Sequence, residues 1–83
     1  MNKYERELSA LKPYDEVQFT EQLTGKAQEF QFITTAGHGY LVVPKDNTMA
    51  DIAKRICKYG FVGELAYYLE EDSEASEFIK VLN

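Results

Sequence analysis

The chain has one cysteine, one histidine and no tryptophan, and no apolar stretch approaches the ~20 residues that a membrane-spanning helix needs. Each shortage excludes something. A lone thiol forms no internal disulfide, and Cys57 with a single imidazole cannot complete a tetrahedral zinc site. Bases are scarce too. Nine Lys and Arg stand against fourteen Asp and Glu, a net charge of −5. That balance argues against direct nucleic-acid binding, which rests on neutralising phosphates. The opening MNKYERELSALK interleaves charges with apolar residues and has no hydrophobic core of a signal peptide. These absences together predict a soluble chain of a reducing compartment, most simply the cytoplasm, with no membrane partner and no cofactor.

What is present is ordinary globular material. Hydrophobic residues make up 45% and charged ones 28%, and six Tyr with five Phe supply bulk for a core. Eighty-three residues without repeat or linker read as one small domain, 1–83. A domain of that size buries roughly 60% of its unfolded surface, so its stability is modest.

Tyr4, Leu8 and Leu11 recur at helical spacing from Lys3 to Leu11, and Pro13 stops the run. Three extended segments follow. DEVQFTEQL alternates around Val17 and Phe19. AQEFQFITT sets Gln28, Phe30, Phe32 and Thr34 on one face and Gln31, Ile33 and Thr35 on the other. YLVVP closes at Pro44. The turns TGK and AGHG join them as a meander.

The period then changes. Met49, Ile52, Ala53, Ile56 and Tyr59 predict an amphipathic helix over about Thr48 to Tyr59. Asn47 or Thr48 would cap it, Gly60 would take a left-handed position past its end, and Ile52 and Ile56 would be fully buried. ELAYYLEE predicts a fourth strand, with Leu65, Tyr67 and Leu69 opposite Ala66 and Tyr68. DSEASEFIKVL predicts a closing helix capped by Asp72 or Ser73, with Ala75, Phe78, Ile79 and Leu82 inward. The order α-β-β-β-α-β-α gives an α+β fold, a small antiparallel sheet of about four strands with helices packed on one face.

Candidate site residues fall in two places. His38 lies between Gly37 and Gly39, and paired glycines suit a tight turn. The expectation is a turn histidine, partly exposed, with no metal or thiol in reach; a buried carboxylate bonded to it in a cleft would instead favour an enzyme. The second place is the acidic run Glu64 to Glu77, six acids and no base. Glu70, Glu71, Glu74 and Glu77 are expected to be exposed and free to meet a partner, set apart from the basic Lys54, Arg55 and Lys58. Tyr68 joins them, because one of Tyr67 and Tyr68 should face an uncovered side of the sheet.

HGYLVVP, then an amphipathic helix, then YYLEEDSEASEFI resembles a group of short uncharacterised proteins carried by bacterial phages, plasmids and other mobile elements. The likeness covers His38 to Phe78. It departs at Ala66-Tyr67-Tyr68, where the group often has Asp and aromatic residues. The resemblance implies a bacterial or phage setting and a non-enzymatic accessory role. The functional expectation is therefore a small protein-interaction module whose partner is another protein or a second copy of the chain. The alternative is an acidic inhibitor of a nucleic-acid-binding enzyme, as anti-restriction and anti-CRISPR proteins are. The third reading is a small enzyme that uses His38.

Overall fold

A computed structural model describes residues 1–27 and 29–82. The elements are α1 (Lys3–Leu11), β1 (Val17–Gln22), a 3-10 turn (Gly25–Ala27), β2 (Gln31–Thr35), β3 (Gly39–Pro44), α2 (Ala50–Ile56), β4 (Phe61–Val62), β5 (Ala66–Glu70), a π-helical turn (Glu71–Ala75) and α3 (Ser76–Leu82). The fold is α+β, with one antiparallel sheet in the order β1-β2-β3-β5-β4. Five strands replace the expected four. β4 is two residues long and pairs Phe61 with Tyr68 and Val62 with Tyr67, too short to show any alternation.

The α1 helix has the predicted bounds. Asn2 caps it, accepting from the Glu5 N–H at 2.9 Å while Glu5 accepts from the Asn2 N–H at 2.7 Å. The α2 helix is shorter than Thr48 to Tyr59. Asn47 does steady its start, accepting from the Met49 N–H at 2.8 Å. Gly60 is not left-handed; Gly25 alone has positive φ among the described residues. Gly60 is required for another reason, since a Cβ there would collide with the Tyr68 carbonyl oxygen.

The faces of β2 and β5 alternate as the sequence predicts, apart from Gln28, which lies outside the described residues; β3, for which the sequence predicts a strand without assigning faces, alternates as well. Phe30, Leu41, Val43, Tyr67 and Leu69 meet Ala50 and Ala53 of α2 and Phe78 of α3. Ile33, Tyr40, Val42, Ala66 and Tyr68 meet Leu8 of α1, with Tyr4, Val17 and Phe61 packed against them. Helices therefore cover both faces, not one, and the central strands are buried on both sides. A β-bulge at Gln18 keeps Val17 on the α1 face while Phe19 turns to the other. Ile52 and Ile56 are only partly buried, because the small Ala50 and Ala53 are the α2 residues that lie against the sheet.

Candidate functional site

The β2–β3 turn is held from outside by one carboxylate. Asp15, in the loop between α1 and β1, is 9% exposed. Its Oδ2 accepts from the Thr35 hydroxyl at 2.8 Å, from His38 Nδ1 at 3.0 Å and from Lys12 Nζ at 3.1 Å. Its Oδ1 accepts from the Gly37 N–H at 3.1 Å. The turn closes with the Thr35 N–H donating to the His38 carbonyl at 2.9 Å. Burial by itself raises the Asp15 carboxyl, but the donors Thr35, His38, Lys12 and Gly37 outweigh it and hold it well below the usual carboxylate range.

Lys12 completes the group. Its Nζ donates to the Tyr40 hydroxyl at 3.0 Å and lies over the rings of Tyr40 and Phe61, 5.6 Å from each. Desolvation lowers the ammonium, but Tyr40 and Asp15 more than compensate and raise it above the ordinary lysine value. The same Nζ is 3.2 Å from His38 Nδ1. His38 thus has Nδ1 committed to this cluster, while its side chain stays 48% exposed.

His38 is in the turn and partly exposed, as expected, but it is not a plain turn histidine. It is bonded to a nearly buried carboxylate and borders an open cleft of about 390 Å³. Gln18 and Thr34 form one wall of that cleft, and Glu70, Glu71 and Asp72 the other. Gly39 allows this closeness, since a Cβ there would strike both the Phe32 ring and the Glu71 carboxylate.

The acidic run is divided by the fold. Glu71 and Asp72 are exposed and Glu70 is half-buried, and their carboxylates form no ion pair or hydrogen bond among the described residues. Glu74 is the opposite of what was expected, only 3% exposed. The π-helical turn carries it inward, where its carboxylate accepts from the consecutive N–H groups of Lys58, Tyr59 and Gly60. It fastens the end of α2 to the start of α3 and is not available to a partner. Asp72 does not cap the closing helix, whose N-terminal turn has no side-chain cap. Glu77 is exposed but lines a different groove, between α2 and α3, together with Arg55 and Lys58.

Tyr68 is also withdrawn from any surface. It is fully buried under α1 and donates to Glu7 Oε1 at 2.7 Å. Burial, then the Glu7 carboxylate, drives its phenol far above the usual tyrosine range. Glu7 accepts as well from the N–H groups of Glu64 at 2.7 Å and Leu65 at 3.2 Å. Cys57 lies at the end of α2, and its Sγ–H donates to the Phe61 carbonyl at 3.9 Å. Burial, with the Glu74 charge beside it, pushes the thiol up to about 11, so it is a poor nucleophile.

Sequence reasoning missed Asp15 and Lys12. Apart from each other, their partners are 20 to 28 residues away, and no local spacing links PYDE to the histidine turn. Among the described residues, no three His, Cys, Asp or Glu side chains converge to hold a metal ion, and no helix is long and apolar enough to cross a membrane. No family model, no curated protein and no solved structure matches this chain.

Proposed function

We propose that the protein is a non-enzymatic interaction module that receives a cationic side chain of a protein partner in the cleft between His38 and Glu70, Glu71 and Asp72. The observation that carries this reading is the fate of the acids. Glu5, Glu7, Asp15 and Glu74 are taken up inside the molecule as acceptors. The carboxylates of Glu70, Glu71 and Asp72 at the cleft form no ion pair or hydrogen bond among the described residues and share one small surface. One exposed ion pair contributes only about 0–1 kcal/mol. Several carboxylates around one guanidinium or ammonium give charge-assisted bonds from more than one side, which favours a specific partner and speeds encounter. Lys12, the nearest cation to His38, does not neutralise the cleft, because Asp15 and Tyr40 already engage it. An acidic inhibitor of a nucleic-acid-binding enzyme is the special case in which the captured cation belongs to a phosphate-binding surface.

The resemblance to mobile-element proteins supports a bacterial host as the source of partners. Affinity capture with the wild type and with a Glu70→Gln/Glu71→Gln/Asp72→Asn variant tests the reading. A partner is expected on the wild type, lost from the variant and released as salt rises. A variant that keeps every partner refutes it.

One observation favours a second reading, a small enzyme with His38 as general base: His38 is bonded to the nearly buried Asp15 at the edge of a cleft, the very arrangement that sequence reasoning takes as favouring an enzyme, and that bond orients such a base. It ranks lower because Lys12 shares the same carboxylate oxygen. The one hydroxyl bonded to that pair, Thr35, is also spent, on Asp15 and on the His38 N–H. A His38→Asn variant that folds and still captures the partner supports the interaction module over the enzyme.

A further inference from the structure

The groove between α2 and α3 is a separate surface. Its volume is about 470 Å³. Ile52 and Ile56 are half-buried along it, Tyr59 at the rim is 73% exposed and Val81 on α3 is 50% exposed. Its charges are segregated. Arg55 and Lys58 come from α2 and the residues just after it, and Glu77 comes from α3. None of the three forms an ion pair within the chain, among the described residues.

We infer that this groove is occupied by a second copy of the chain, related by a two-fold axis. A two-fold interface must be self-complementary, the same patch serving on both sides. This patch meets that requirement. With the copies opposed across an axis along the groove, the Arg55 and Lys58 side of each groove meets the Glu77 side of the other, so Glu77 of one copy reaches Arg55 and Lys58 of its mate. Val81 and the two isoleucines then close against each other as the apolar centre, and Tyr59 folds over them from the rim, where its large ring shuts out water. A standard interface takes about 800 Å² from each partner. That is a modest part of the 5085 Å² surface and about what one side of a 33 × 22 × 22 Å body presents. With few apolar anchors, dissociation is expected on the order of micromolar concentrations.

Sedimentation velocity across a concentration series tests the pairing. The wild type is expected to pass from 9.5 kDa to twice that mass as concentration rises. Arg55→Glu sets two acids against each other across the axis, and Glu77→Arg sets two bases. Each single variant should remain monomeric about tenfold or more beyond the wild-type midpoint, a shift worth about 1.4 kcal/mol. Mixing the two single variants restores opposite charges at both contacts and should restore the dimer, as should the Arg55→Glu/Glu77→Arg double variant. All three residues are exposed, so circular dichroism should show an unchanged fold. A wild type that stays at 9.5 kDa up to millimolar concentration, or single variants that do not recover on mixing, overturns the inference.

Discussion

Replacing Glu74 with alanine removes the one acceptor shared by three consecutive backbone N–H groups, those of Lys58, Tyr59 and Gly60. The loss is large because the Glu74 carboxylate is buried and no other acceptor among the described residues takes these donors. A hydrogen bond to a charged group is worth about 1.5–3 kcal/mol, and the bonds to one carboxylate are not additive. Each buried N–H left without an acceptor costs about 1–3 kcal/mol, so losing three together gives an expected cost of about 3–5 kcal/mol for Glu74→Ala. A domain of 83 residues has roughly 4–12 kcal/mol in all, so the variant should be close to unfolding. Glu74→Gln keeps one acceptor oxygen but turns an NH2 group towards the same donors. It should cost about half as much as the alanine change. Urea unfolding measures both, provided the slope is unchanged so that the midpoint reports stability. Hydrogen exchange at the amides of Lys58, Tyr59 and Gly60 localises the effect, because these three should lose protection first. A cost below about 1 kcal/mol for Glu74→Ala, with those amides still protected, would refute the claim that this carboxylate holds α2 to α3.

Asp15 makes stability depend on acid. Its folded pKa is depressed, so its contribution is complete above its unfolded value of about 3.9 and is lost as pH falls through the folded value. Unfolding midpoints should drop below about pH 4 in the wild type and respond less to acid in Asp15→Asn; equal slopes would remove Asp15 from the account. Tyr68→Phe deletes the bond to Glu7, which keeps its amide partners Glu64 and Leu65; denaturation should show a cost of about 0.5–1.5 kcal/mol, with partner capture unchanged. Cys57, with its thiol near 11, should react with a thiol reagent at neutral pH on the order of 100-fold more slowly than an unshifted cysteine. A rate equal to that of a free thiol would show that the end of α2 opens.

Local pattern alone determined much of this protein. The 3–4 spacing of Tyr4, Leu8 and Leu11 with Pro13 behind them set α1, alternation along AQEFQFITT and AYYLE set two strands and the residues sharing each face, and the short apolar run YLVVP closed by Pro44 set a third strand without its faces. The switch from period two to period three or four set α2, because strand and helix repeat differently. Pattern could not decide what covers a face. Alternation says only that Tyr68 points away from Tyr67, which predicts it open to a partner, whereas α1, sixty residues earlier in the chain, supplies the cover. The acids show the same limit. Glu70, Glu71, Glu74 and Glu77 look alike in sequence, and a carboxylate's role depends on the donors brought to it in space. Glu74 meets three backbone amides 14 to 16 residues away, and Asp15 meets a histidine 23 residues away. Backbone N–H groups carry no sequence signature. Only the packing of the chain could separate the carboxylates that hold the fold from those at the cleft, which form no ion pair or hydrogen bond among the described residues.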